Sequence, residues 1–297
     1  MREQVGVSTS IARDPSFINN HFISDFAKFG WNPLDSDAET YADVGKFLVI
    51  HKEDAKDPCG CVVVFPYETN NFLGYFYMKE EWRGKGLGSK LLSEALELVD
   101  GPIGSLDSVE EHVETYARRG FHPIGSVLSM ETSSFHVPNV PVSLLPEEVL
   151  VDLAEVSIDD VIRLEHEYTG VKRTPFWKHP KLLEGSKGVA ILHNGSLRAY
   201  IICKPSSDGC KISPLYASEV RQARLLLNHL SDVISTYPTT QLDCWGNNEE
   251  AERLFIEYGM ERTYTFTRMW KGGIPLEQHK GGSSERTAFC WNDAATG

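Results

Sequence analysis

A run of nine residues with three glycines constrains this chain more than any other segment. The run is Trp82-Arg83-Gly84-Lys85-Gly86-Leu87-Gly88-Ser89-Lys90, between an apolar, aromatic segment at 72–78 and a periodic apolar one that begins at Leu87. That order predicts a strand, a loop and a helix. Glycines let backbone N–H groups point at a ligand, and the start of a helix attracts anions. Because Arg83 and Lys85 add positive charge, the run predicts a diphosphate-binding loop.

The spacing of the glycines separates this loop from two other phosphate-binding motifs. It lacks the Gly-Lys-Ser/Thr of a P-loop and does not fit the G-x-G-x-x-G of dinucleotide sites. It does fit R-x-x-G-x-G, from Arg83 to Gly88. This pattern resembles the acetyl-CoA loop of the GNAT N-acetyltransferases. The other interpretation is a glycine-rich strand–helix turn with solvated basic residues.

A second motif downstream strengthens the resemblance, which covers about residues 10–132. Tyr116 is followed, after three residues, by Gly120-Phe121, as in many GNAT domains at this distance after the loop. In such domains the tyrosine lies near the CoA sulfur and serves as general acid. They usually carry an asparagine seven residues before the tyrosine, where this chain has Val109. The alternative for Tyr116 is core packing with its hydroxyl at the surface.

The resemblance implies a fold, a cosubstrate and a set of site residues. The fold is α/β (α+β), with a twisted mixed β-sheet flanked by helices. The cosubstrate is acetyl-CoA, no metal is involved, and Tyr116 is the catalytic acid. A backbone N–H near Met78, at the end of the fourth strand, is the family's device for stabilising the thioester oxygen. The residues expected to contact the cofactor are Met78, Arg83, Gly84, Lys85, Gly86, Leu87, Gly88 and Ser89.

The sequence does not fix the base that takes the proton from the amine. The candidates near the predicted site, each of which is also typical of a solvated surface, are Glu68, Glu80, Glu81, Asp107 and His112. Tyr75 and Tyr77 alternate on one strand. They either line the acceptor pocket, where one could relay a proton through water, or form one face of a sheet packed on a helix.

Composition limits the partners. The net charge of −13 opposes nucleic-acid binding and favours cationic substrates, although acidity also simply keeps a protein soluble. No apolar run is long enough to cross a membrane, and the polar start, Met-Arg-Glu-Gln, lacks a signal segment. The six cysteines show no zinc spacing, which predicts core or edge thiols in a reducing compartment. We therefore expect a cytoplasmic protein that acts on a small molecule.

The second half repeats the first faintly. Phe255, Gly259 and Met269 have the spacing of Tyr116, Gly120 and Met130, and Asn248 supplies the family's asparagine. The chemistry is lost, however. Segment 213–219 has no glycine where the loop belongs, Glu219 would repel a diphosphate, and Phe255 has no proton to give. This half resembles the C-terminal domain of bacterial YitH-type acetyltransferases. The residues that carry this resemblance are Pro214-Leu215-Tyr216-Ala217, Tyr168, Gly170 and Arg173.

These observations predict four segments. Residues 1–132 form a catalytic GNAT domain, 133–147 a proline-rich linker, 148–272 a degenerate GNAT-like domain, and 273–297 a flexible tail. The predicted activity is acetyl transfer from acetyl-CoA to a primary amine by direct attack, with a small amine or amino acid as acceptor. The alternatives are a protein N-acetyltransferase and a non-catalytic acetyl-CoA-binding or sensing protein with an interaction domain. Oligomeric state is left open.

Overall fold

Strands rich in valine, isoleucine and aromatic residues dominate the fold. The computed structural model describes residues 6–34, 36–53, 55–99, 104–272, 284–291 and 296. The strands of the first half are β1 Val7–Ala12, β2 Lys46–Lys52, β3 Gly60–Pro66, β4 Asn71–Met78, β5 Gly104–Ser108 and β6 His122–Thr132. Those of the second half are β7 Glu148–Asp152, β8 Lys187–His193, β9 Ser196–Ser206, β10 Gly209–Tyr216, β11 Thr240–Trp245, β12 Glu261–Lys271 and β13 Ala288–Cys290.

Helices cover both faces of these strands, so that β3 and β10 are almost entirely buried. In the first half the α-helices are α1 Pro15–Ile18, α2 Ser24–Lys28, α3 Asp37–Val44, α4 Leu87–Glu97 and α5 Val113–Ala117. Those of the second half are α6 Ile158–Thr169, α7 Thr174–Trp177, α8 Val220–Ile234, α9 Glu249–Glu257 and α10 Ser284–Thr287. No helix among the described residues is long and apolar enough to cross a membrane.

The described strands form one continuous mixed sheet. Its order is β1-β2-β3-β4-β5-β12-β6-β11-β13-β10-β9-β8-β7. The predicted mixed α/β architecture is confirmed. Asn194 and Gly195 form the hairpin turn between β8 and β9, and both residues take positive φ. Strand β1 and helix α3 are elements that the sequence patterns did not predict.

Each half borrows a strand from the other. Strand β12, from the second half, lies between β5 and β6, and β6 in turn lies between β12 and β11. The first half contributes a single strand at 122–132, β6, and β12 from the second half pairs along it. At the centre of the β6–β12 pair, Val127 faces Phe266. These two residues are as far apart along the chain as Tyr116 and Phe255, so they are equivalent positions of the sequence repeat. The two halves are therefore related by a pseudo-twofold axis that passes between β6 and β12.

The C-terminal segment corrects another prediction. Residues 284–291 are not a flexible tail, because β13 pairs with both β10 and β11 and its side chains are fully buried. Because glycine, serine and charged residues surround this short apolar stretch, the sequence pattern did not indicate a strand there. All six cysteines are buried free thiols, as predicted.

Candidate active site

The first half contains an opening in its sheet. Parallel strands β4 and β5 pair only over three residues each, Asn71–Leu73 with Gly104–Leu106. Beyond this point β4 runs on to Met78 and β5 to Ser108, and no strand of the described residues lies between them. We call this opening the first wedge, lined by residues 74–78 and 107–108. Its edges expose backbone hydrogen-bonding groups that an extended ligand could pair with.

A bulge in β4 shapes one edge of the first wedge. Register passes from Val63–Gly74 to Cys61–Tyr77, so β4 carries one extra residue, and Tyr75 takes a φ of +49°. Such a backbone costs on the order of 1–3 kcal/mol, which surrounding contacts must offset. Tyr75 and Tyr77 both pack on Phe26 of α2, at ring distances of 4.6 and 5.7 Å.

The predicted diphosphate loop follows β4 directly. Gly84 and Gly86 have φ values of +71° and +82°, and a Cβ at either would meet no atom within 4 Å. Glycine is needed there for the backbone conformation, and the surrounding space is open. Helix α4 begins after Gly86 with no side chain capping its first turn. At Gly88 a Cβ would lie 3.4 Å from Met78 and Phe76, so the helix start packs closely on β4.

Positive side chains surround the loop. The Nε of Arg83 donates to the carbonyl of Met78 at 2.9 Å, which fixes the guanidinium beside the end of β4. Lys85 lies 4.8 Å from the ring of Trp82. Arg119, which no sequence motif indicated, donates to the hydroxyl of Ser89 at 2.7 Å. Its position three residues after Tyr116, in the turn that follows the end of α5 at Ala117, was the available signal.

Tyr116 belongs to the hydrophobic cluster on which Met78, Trp82 and Leu87 pack, and 6% of its surface is exposed. Its ring packs edge-on against Phe76 and Phe121, at 6.5 and 6.0 Å. Burial raises the pKa of the Tyr116 phenol above its ordinary value, and the charge of Arg119 partly opposes this. The phenol therefore stays protonated at neutral pH, which is the form that a general acid needs.

Two of the candidate bases are engaged in other contacts. Although burial acts to raise the pKa of Glu68, hydrogen bonds from Thr174 and the charge of Lys172 lower it overall, and Glu68 joins the two halves. Asp107 forms a buried ion pair with Arg268, so its interpretation as a solvated surface group is wrong. Glu80, Glu81 and His112 are exposed.

An aromatic cluster lies on the opposite face of β4 from Tyr116. Phe29 and Trp31 are 52% and 38% exposed, and their rings lie 5.6 and 6.2 Å from that of Tyr77. The carboxylate of Asp25 lies 3.4 Å from the Tyr77 hydroxyl. Burial, followed by the charge of Asp25, raises the pKa of Tyr77 to about 12. The guanidinium of Arg83 sits 6.0 Å from the ring of Phe29, so the cluster adjoins the loop. We call Phe29, Trp31 and Tyr77 the aromatic platform.

Two segments of the chain match family models that share the description acetyltransferase (GNAT) domain. The matches cover residues 43–123 and 161–282, together more than half of the chain. The chain carries two GNAT acetyltransferase domains. The first match contains the glycine loop and Tyr116, and the second contains Asn248 and Phe255.

Curated relatives are distant. An uncharacterized protein of Caenorhabditis elegans is 26% identical over 195 residues, which cover 62% of each chain. The holothin acyltransferase of a Pseudoalteromonas species is 27% identical over 165 residues, covering 54% of this chain and 53% of that protein. The chain thus spans less than two thirds of the length of each of these relatives.

Solved structures with the same fold include two that span nearly the whole chain. A candidate acetyltransferase from Pyrococcus horikoshii has a TM-score of 0.77 at 16% identity, covering 100% of this chain and 98% of that one. A tandem GNAT protein from the clavulanic acid biosynthesis pathway has a TM-score of 0.64 at 12% identity, covering 91% and 100%. At these identities the likeness concerns the fold alone.

Proposed function

We propose that the protein is an acetyl-CoA-dependent N-acetyltransferase whose reaction takes place in the first half. The observation that carries this proposal is the first wedge, which opens onto the glycine loop and has Tyr116 packed beside it. The glycine loop follows β4 directly, and the ring of Tyr116 packs against Phe76 of the same strand.

The residues present fit acetyl-CoA. Its diphosphate would lie on the backbone N–H groups of 83–89, at the uncapped start of α4, with Lys85 and Arg119 adding charge. Its amide-bearing arm would pair with the β4 edge of the first wedge, where backbone groups face the opening. Met78 lies at the meeting point of loop and wedge, and its N–H is the candidate donor to the thioester oxygen.

The reaction balances without a metal or an enzyme-bound acyl group. A neutral amine attacks the thioester carbon, a C–N bond forms, and the C–S bond breaks. The nitrogen loses a proton to a base or to water, and the CoA thiolate takes one from the Tyr116 phenol, which solvent then restores. The amine must first be deprotonated, because its ordinary pKa near ~10 leaves little free base at neutral pH.

The aromatic platform supports a choice of acceptor. Partly exposed Phe29 and Trp31 suit a flat apolar group, and the Asp25 carboxylate suits an ammonium ion before its deprotonation. The relative named for holothin acylation makes holothin one acceptor to test. We infer that the protein is cytoplasmic and that its substrate is a small amine with a planar apolar part. The substrate is not a nucleic acid or a membrane component.

The second half is inferred to be a YitH-type domain without turnover. Helix α8 follows β10 after a turn of three residues, and no glycine lies in that turn. Phe255, fully buried where the first half has Tyr116, offers no proton. This half therefore contributes to the structure around the first site and catalyses no acetyl transfer of its own.

The test is a screen of primary amines, holothin included, with acetyl-CoA and a colorimetric readout of free thiol. We expect amine-dependent thiol release that Tyr116→Phe suppresses. If CoA binds in calorimetry but no amine releases thiol, the non-catalytic binding role replaces this proposal. If CoA does not bind at all, both roles are rejected.

A further inference from the structure

The second half has an opening that corresponds to the first wedge. Parallel strands β10 and β11 pair only at Cys210–Thr240 and Lys211–Gln241, after which they separate. Strand β13 lies in the space between them and pairs with both. We call this opening the second wedge. It is filled by the chain itself.

Strand β13 satisfies both edges of the second wedge. On the β10 side Cys290 faces Leu215, and the N–H of Ala217 donates to the Thr287 carbonyl at 3.0 Å. On the β11 side Cys290 also faces Cys244, and the N–H of Trp291 donates to the Asp243 carbonyl at 2.9 Å. The segment thus bonds as an extended ligand would.

Asn248 takes part in holding β13. Its side-chain nitrogen donates to the Ala288 carbonyl at 3.0 Å, and the residue is 1% exposed. At the equivalent position the first half has Val109, which has no such donor. The second half therefore has a side chain suited to an extended backbone in its wedge, and the chain supplies that backbone.

One cation touches both wedges. The guanidinium of Arg268, on the exchanged strand β12, pairs with Asp107 of β5 and lies 5.4 Å from the ring of Phe72 on β4. The same guanidinium lies 4.9 Å from the ring of Trp291 and 5.8 Å from that of Trp245. Both strands of the first wedge are thus contacted by Arg268, next to the point where their pairing ends.

We propose that Trp291 is a positioning residue for the first wedge. When β13 is seated, the Trp291 ring holds the Arg268 guanidinium against Asp107 and Phe72, and this sets the separation of β4 and β5. Release of β13 lets Arg268 shift and weakens acetyl-CoA binding. The coupling rests on the proposed function, since it concerns the site where acetyl-CoA is proposed to bind.

The test compares three variants of the full-length protein. Trp291→Ala removes the ring, and Trp291→Phe keeps a ring over the guanidinium. Trp177→Ala is the matched control, because Trp177 is also almost fully buried and its ring lies 5.9 Å from the guanidinium of Arg173. Arg173, like Arg268, forms a buried ion pair with a carboxylate. We expect Trp291→Ala to raise the Kd and KM for acetyl-CoA about tenfold with little change in kcat, and Trp291→Phe to restore affinity to within about threefold of wild type.

Thiol labelling reports the seating of β13 without any cofactor. Cys290 is buried in the second wedge, so a native-state maleimide should modify it faster in Trp291→Ala than in wild type or Trp177→Ala. Unchanged CoA affinity in a folded Trp291→Ala protein with a reactive Cys290 overturns the coupling. An unreactive Cys290 with unchanged affinity overturns the anchoring role of Trp291.

A second variant covers the case in which Trp291→Ala does not fold. Arg268→Lys keeps the charge beside Asp107 but loses the flat group that stacks on the rings. It should weaken CoA binding in the same direction, and unaltered affinity there also rejects the proposal. If wild-type protein fails to bind CoA, the proposed function fails instead, while the labelling result still decides whether Trp291 anchors β13.

Discussion

In the first half, the pairing of β4 with β5 ends at Leu106, and no strand of the described residues enters the opening beyond it. In the second half, the same opening is closed by the chain's own β13. A carboxylate, that of Glu148, also lies at the first turn of α8, where it accepts hydrogen bonds from Arg221 and Gln222. The second half therefore carries an internal strand and an internal anion in the places where the first half is proposed to hold the arm and the diphosphate of a cofactor.

The largest expected effect is the loss of cofactor binding at the glycine loop beside the first wedge. Gly86→Glu puts a carboxylate at the start of α4, and like charges about 4 Å apart repel by about 4 kcal/mol near a protein surface, so CoA affinity should fall on the order of 10³-fold. Calorimetry measures this. Gly195→Glu is the matched control, because Gly195 has a similar φ of +75° and equally open surroundings. If both variants bind CoA with equal affinity, the glycine loop is not part of the cofactor site.

The next prediction tests whether Tyr116 of the first half differs in function from Phe255, its equivalent in the second half. Tyr116→Phe keeps the ring and its packing but removes the proton donor, so turnover should fall about 10²-fold while CoA affinity stays similar. Because burial raises the pKa of this phenol, the wild-type pH–rate profile should show no loss from its ionisation below about pH 10.

A second-half tyrosine supplies the control for that substitution. Tyr168→Phe loses a buried hydroxyl that donates to the Arg198 carbonyl and should leave turnover unchanged. A thiolate with an ordinary pKa near ~8.5 can also leave without protonation. Identical rates for wild type and Tyr116→Phe across the alkaline range would make Tyr116 a packing residue.

A third change tests whether the carboxylate in the second half is structural. Hydrogen bonds from Arg221 lower the pKa of Glu148 from 4.5 to about 2. Its stabilising contribution is therefore complete above pH 4.5 and is lost as the pH falls toward 2. Glu148→Gln should lower the free energy of unfolding at pH 7 by about 2 kcal/mol, and the difference from wild type should shrink in acid.

Denaturant unfolding at several pH values measures this difference. Glu184→Gln is the control, since that side chain is 62% exposed and its ion pair with Lys181 contributes little. CoA affinity should be the same in both variants. A pH-independent difference would mean that Glu148 acts through its shape and not its charge.

The smallest effect concerns a single surface charge at the open wedge. Lys85 is exposed and rests on Trp82, so Lys85→Gln should weaken CoA binding only about threefold, and less at high salt. Lys187 is exposed in the second half, so Lys187→Gln should leave CoA affinity unchanged. A much larger loss for Lys85→Gln would show that this ammonium is held against the diphosphate away from water.

Local features of the site could be predicted from the sequence. The glycine loop, the strand before it and Tyr116 each follow from short patterns, and the structure places them together. Arg119 and the bulge at Tyr75 were missed because each depends on a contact with another element, Ser89 and β3 respectively. The pairing of Asp107 with Arg268 joins residues that only the strand exchange brings into contact, so no spacing along the chain could indicate it.

The fold shows the same limit. The repeated spacing predicted two related halves, but nothing local distinguishes a strand that pairs within its own half from one that exchanges. Strand β13 was missed for a different reason. Its apolar stretch, 288–291, is only four residues long, which is too short for a periodic pattern.

The exchange of β12 also sets the order in which the protein can be completed during synthesis. Strands β5 and β6 are translated early, but the strand that separates them ends at Lys271. Ribosomes add about 5–20 residues per second, so the first sheet must wait on the order of ten seconds for its missing strand. Until then the nascent chain carries unpaired edges that a chaperone could bind. The glycine loop and Tyr116 leave the ribosome long before the sheet that supports them is closed.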